Sequence, residues 1–69
     1  MNVAEMGKAL RFRREFLNLR QDDLAEMSGI TSRTIHLIES GTGNPSVETL
    51  EKLAIVLGME LLLQVKKPN

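Results

Sequence analysis

Apolar residues recur at helical spacing through most of the chain and at a two-residue spacing near its end. Val3, Met6, Leu10 and Leu17 stand three, four and seven residues apart, which lines them along one face of a helix over residues 3–17. Asn18 follows as a residue that tolerates the left-handed conformation closing such a helix. A second, short helix is predicted from Gln21 to Ser28, carrying Leu24, Ala25 and Met27, with Gly29 as its stop. Thr31 suits the N-cap of a third helix over 32–40, with Ile35 and Ile38 on its buried side. Gly41-Thr42-Gly43-Asn44-Pro45 reads as a loop. Ser46 then caps a fourth helix over 47–57, with Val47, Leu50, Leu53, Ala54 and Leu57 inward and Gly58 as its stop.

Beyond Gly58 the period changes. Met59, Leu61, Leu63 and Val65 alternate with Glu60, Leu62, Gln64 and Lys66, which predicts a strand over 59–65 with one apolar face, although Leu62 blurs the alternation. It is the only strand signal in the chain, and a lone strand leaves its backbone donors and acceptors without a ladder. The economical remedy is the same strand of a second copy, paired antiparallel across a two-fold axis. A further helix or a frayed tail is the alternative. The chain therefore divides into a helical unit, 1–58, and a dimerisation strand with tail, 59–69.

Composition narrows the function. Sixty-nine residues make one domain. A chain so short buries only about 60% of its unfolded surface, so oligomerisation is the available reinforcement. The absence of cysteine removes disulfides and thiolate metal sites. No run approaches the ~20 apolar residues of a membrane span, and the start lacks a signal pattern, so the expected location is the cytoplasm. Nine basic and nine acidic side chains cancel, which argues against attachment to nucleic acid by bulk charge but leaves room for a local basic face. One histidine, no glycine-rich phosphate loop and no acid pair leave nothing for catalysis, so no enzyme, metal or cofactor is expected.

Two short helices joined by a glycine turn are the mark of a helix-turn-helix. Ala25 must be small where the third helix crosses the second, Gly29 supplies a positive φ, and Ile35 fills the wedge between the helices. Leu24, Ile30 and Ile38 complete that core. The run Gln21-Asp22-Asp23-Leu24-Ala25, Ser28-Gly29-Ile30-Thr31, Thr34-Ile35 and Ile38-Glu39-Ser40-Gly41 resembles the Cro/CI-type, or XRE-type, helix-turn-helix family. The likeness continues through Asn44-Pro45-Ser46, Thr49-Leu50, Lys52-Leu53-Ala54 and Leu57-Gly58. It implies an all-α, lambda-repressor-like bundle of four to five helices whose third helix enters the major groove, usually as a dimer on a palindromic operator. The apolar tail after Leu57-Gly58 is similar to HipB-type antitoxins, which implies autorepression and a HipA-type kinase toxin as partner.

The resemblance also assigns roles. Thr31, Ser32, Arg33 and His36 fall where relatives read bases; the fork of Arg33 matches the edge of guanine, with a phosphate contact or a solvated arginine as the alternative. Gln21 matches the family's phosphate-clamping glutamine at a helix start suited to anions. Arg20 departs from the usual Ser, Thr or Asn cap, and an arginine there has the reach to touch a phosphate itself. Thr42, Gly43 and Asn44 match the loop that follows the DNA backbone, or are a plain turn. Arg14 and Glu39 match a pair that bridges the first and third helices. Arg11 and Arg13 are read as solvated or near phosphate, and Leu37 as facing either a thymine methyl or the fourth helix. Three functions stay open: a repressor of the antitoxin kind, another family regulator such as a phage or restriction-modification controller, and an interaction module that inhibits a partner without binding DNA.

Overall fold

A computed structural model of the chain describes residues 1–68. Four helices follow in order: α1 (Val3–Phe16), α2 (Gln21–Ser28), α3 (Ser32–Glu39) and α4 (Val47–Leu57). Side chains open three of them. Asn2 accepts from the Glu5 N–H at 2.8 Å, Thr31 from the Thr34 N–H at 3.2 Å, and Ser46 from the Thr49 N–H at 3.1 Å. Each cap satisfies a backbone donor that the helix cannot, worth about 1 kcal/mol. The ends are closed by left-handed residues. Asn18 has φ 59°, and Leu19 N–H and Asn18 N–H donate back to the carbonyls of Arg14 and Glu15. The same double return occurs at Gly58, where Met59 N–H reaches Ala54 at 2.8 Å and Gly58 N–H reaches Ile55 at 3.3 Å.

The apolar stripes meet in one core. Leu10, Leu24, Ile35, Ile38, Leu50, Leu53, Ala54 and Leu57 are buried, and Met6, Leu19, Ala25, Ile30, Val56 and Met59 pack around them. Both α1 and α2 lie against α3 and α4. Burying a side chain such as Leu53 or Leu57 contributes roughly 1.5–3 kcal/mol, so four short helices become stable together though none would be alone. α1 comes close to α3 at Gly7, which packs against the backbone of Ile38 and Glu39.

Three expectations are corrected. The first and third helices end one residue early, at Phe16 and Glu39. Val47 is 65% exposed rather than inward, and it stands at the first position of α4, a turn before the buried Leu50. The strand over 59–65 is not formed: residues 59–68 are neither helix nor strand. A strand exists by virtue of its ladder, and among the described residues no segment pairs with the tail to supply one. Nor does the tail keep a single apolar face. Met59 turns into the core, Leu61 is 42% exposed, and Leu63 and Val65 stand almost fully in solvent. Leu61 and Leu62 instead help line an open apolar groove of about 570 Å³ with Met6, Leu10 and Leu50. Among the described residues, no helix is long and apolar enough to cross a membrane.

Candidate nucleic-acid interface

The turn between α2 and α3 sets the site. Gly29 closes α2 at φ 77°, its N–H donating to Ala25 at 2.9 Å. An L side chain resists that conformation, so glycine lets the chain reverse within a few residues. Ser28 Oγ accepts from the Ile30 N–H at 3.2 Å and steadies the far side of the turn. Thr31 then starts α3 with its hydroxyl engaged twice, accepting from Thr34 N–H and donating to Thr34 Oγ1 at 3.0 Å.

With Ile35 and Ile38 buried, α3 turns Arg33 and His36 to solvent. Neither side chain makes a hydrogen bond within the chain among the described residues, so both are available to an external partner. Ser32 is half-buried, its Oγ donating to Asp22 Oδ1 at 2.6 Å. Leu37 is 37% exposed and lies against Thr42, Gly43, Asn44 and Pro45 in a shallow depression. In that loop Thr42 donates its hydroxyl to the Leu37 carbonyl at 3.1 Å, and Gly43 and Asn44 are exposed.

A buried ion pair fixes the height of α3 on the scaffold. Arg14 Nε and Nη2 each donate to a different oxygen of Glu39 at 2.7 Å, while Arg14 Nη1 donates to the Leu19 carbonyl at 2.7 Å. Gln21 Nε2 adds a bond to Glu39 Oε1 at 3.1 Å. The residue read as a phosphate clamp thus joins the ion pair, with one amide proton directed inward and one left over. Burial pushes the Glu39 carboxyl up, but the hydrogen bonds from Arg14 and Gln21 outweigh it and leave the group below its ordinary value. The Glu39 hydrogen bond raises the already high Arg14 value further, against the cost of burial.

The lowered carboxyl sets the sign of a pH effect. Its stability contribution is complete above the ordinary glutamate value near 4.5 and is lost as pH falls through the depressed folded value. Urea midpoints should therefore be flat from pH 7 to about 5 and fall below it, and Glu39→Gln should flatten that acid limb. Parallel acid limbs in the two proteins would place the acid sensitivity elsewhere.

At the start of α2, Arg20 holds no side-chain cap. Its own N–H donates to Asp23 Oδ2 at 2.8 Å, and its guanidinium lies 3.3 Å from the same oxygen. These contacts hold the Asp23 carboxyl below its ordinary value, the backbone N–H first and the guanidinium second. The Arg20 side chain is otherwise 83% exposed and can swing to an anion. Arg13 is positioned differently from the expected solvated or phosphate-facing side chain. Its Nε donates to the Leu57 carbonyl at 2.8 Å, and its guanidinium lies over the Phe16 ring, 5.3 Å from the centroid. It closes the C-terminus of α4, where a cation meets unsatisfied carbonyls. Arg11 pairs with Glu15 in solvent.

The sequence reading assigned nothing to Asp22 or Gly7. For Asp22 a signal was present, since an acid in the first turn of a helix complements its dipole and is free to reach the next helix.

Comparison with known proteins bears on this arrangement. A family model described as helix-turn-helix matches residues 10–63. An uncharacterised HTH-type transcriptional regulator of Methanocaldococcus jannaschii is 36% identical over 56 residues, covering 81% of this chain and 85% of the relative. An HTH-type transcriptional regulatory protein of Methanococcus vannielii is 39% identical over 56 residues, covering 81% of this chain, which spans only 17% of that relative's length. Among solved structures, the restriction-modification controller protein C.AhdI from Aeromonas hydrophila superimposes with a TM-score of 0.80 at 33% identity, over 84% of this chain and 88% of that one. The glycine turn, the outward face of α3 and these matches agree: the chain belongs to the XRE-type helix-turn-helix family of transcriptional regulators.

Proposed function

We propose that the protein is a sequence-specific DNA-binding regulator whose α3 enters the major groove. The observation that carries this is the exposed, internally unbonded pair Arg33 and His36 on a helix locked to its scaffold by Arg14 and Glu39. A reading head must be both open to the groove and fixed in register, and α3 is both. Arg20, the free amide proton of Gln21, and residues 42–44 serve as phosphate contacts on either side. Of these phosphate contacts only Arg20 is cationic, which implies a shallow salt dependence.

Such a domain covers one half-site, so a homodimer on a palindrome with half-sites roughly 34–36 Å apart is part of the proposal. Leu61, Leu62 and Leu63, gathered with Met6 and Leu50 along the open groove, form a contiguous apolar surface that favours self-association.

Among specific regulators, the likeness to C.AhdI favours the restriction-modification controller kind. The antitoxin reading, with its kinase toxin partner, drew on the tail strand and loses that support.

A mobility-shift assay with the chain's own upstream DNA, at low salt and with a scrambled duplex as control, tests the proposal. Retardation of the upstream duplex alone is expected, and equal retardation of both, or of neither, would contradict it. Arg33→Ala should lower affinity by about 1–2 kcal/mol through one base position per half-site. A uniform loss on every sequence would mean that Arg33 touches phosphate.

A further inference from the structure

Asp22 and Ser32 come from different helices and meet at the edge of the candidate reading face. Ser32 Oγ and Asp22 Oδ1 are 2.6 Å apart, the length of a charge-assisted O–H···O⁻ bond. An aspartate carboxylate has no proton to give, so the serine must be the donor. A serine hydroxyl has one proton and two lone pairs. With the proton held by Asp22, what Ser32 presents outward is acceptor only.

We propose that Asp22 is a specificity-determining positioning residue: it fixes Ser32 as a hydrogen-bond acceptor, so that the start of α3 selects adenine or cytosine at the base facing it. This rests on the DNA-binding reading above. In the major groove adenine and cytosine offer an exocyclic amino donor, whereas guanine and thymine offer only acceptors. A serine whose hydroxyl is free to rotate satisfies either kind and discriminates little. One whose proton is already committed meets guanine O6 or thymine O4 with lone pair against lone pair. Asp22 strengthens the bias, because its own carboxylate is a second acceptor beside the first. Arg33, next along the chain, carries donors only. The first turn of α3 thus shows an acceptor followed by donors, a fixed polarity that a free serine would not provide.

The test is selection of binding sites from a randomised duplex pool by the wild-type chain, Asp22→Ala, Ser32→Ala and the double variant. Asp22 is exposed, and thermal midpoints within a few degrees of wild type will show that the fold is kept. The wild type should favour adenine or cytosine at one position per half-site by about two- to tenfold, the worth of one hydrogen bond. Asp22→Ala should lose that preference while keeping the others, even as overall affinity rises with removal of a charge that repels phosphate. Ser32→Ala should lose the same position, and the double variant should match Ser32→Ala. Guanine or thymine selected there by the wild type would overturn the proposal. So would an unchanged profile in Asp22→Ala, or a loss spread over all positions. If the wild type selects no sequence at all, the DNA-binding reading fails first, a result distinct from any of these.

Discussion

Replacing Glu39 with alanine should remove roughly 3–5 kcal/mol of stability and leave much of the protein unfolded at room temperature. The Glu39 side chain is 4% exposed and its carboxylate receives three donors, two from Arg14 and one from Gln21. Its removal strands the Arg14 guanidinium in a site that is 8% exposed, with one remaining partner, the Leu19 carbonyl. An uncompensated buried charge is what makes the loss of one partner so costly. Small domains begin near the lower end of the usual ~5–15 kcal/mol, so the deficit is comparable with the whole. Urea unfolding monitored by helix content measures it. The double variant Arg14→Met, Glu39→Leu should cost far less than the sum of the single changes, because no charge is then buried alone. A Glu39→Ala protein within 1 kcal/mol of wild type would mean that the pair is solvated and does not hold α3.

Gly7→Ala should destabilise by about 1–2 kcal/mol, in spite of alanine's better helix propensity. A Cβ there would fall on the Ile38 carbonyl oxygen, with the Ile38 carbonyl carbon at 3.1 Å and Glu39 Cα at 3.3 Å. Those are backbone atoms inside a helix and have no rotamer to change. The alternatives are to push α1 off α3 or to bend α3, and either strains the Arg14–Glu39 bonds, since Glu39 follows Ile38 directly and Arg14 lies two turns along α1. The propensity gain of about 0.5–1 kcal/mol is smaller than the overpacking cost. The thermal midpoint reads the effect. Because α3 is displaced, affinity for DNA should fall along with stability. A stabilised Gly7→Ala would contradict the close packing of these two helices.

What the sequence reveals and what it conceals follow from the same physics. The four helices were legible because their stripes, caps and stops agree: Ser46 with Leu50, Leu53 and Leu57, then Gly58, is consistent from end to end. Asn18 and Gly29 announced their left-handed backbone by residue type. The tail misled because alternation of Met59, Leu61, Leu63 and Val65 states which side chains would share a face of a strand, but not whether a ladder partner exists. The pattern is local and the partner is not. Arg14 and Glu39 stand 25 residues apart, and only the family resemblance put them together. The role of Gly7 is hidden because a close approach between helices leaves no periodic trace. The contact of Asp22 with Ser32 depends on the angle at which α2 and α3 meet, so a first-turn acid does not announce it.

The same division applies to function. The glycine turn and small apolar core made a helix-turn-helix readable from residues 21–41, and that much is common to the whole family. Which regulator this is depends on surfaces that carry no periodicity, and neither the helical stripes nor the alternation in the tail reports on them.

The claim on which the rest depends is that α3 offers Thr31 to His36 to duplex DNA. Backbone amide shifts of isotope-labelled protein, followed while a duplex from its upstream region is added, test this residue by residue. The largest changes should fall on residues 31–36, with smaller ones at 20–21 and 42–44. Changes gathered instead on the Phe12 and Phe16 face or on residues 59–65, with 31–36 unmoved, would contradict it.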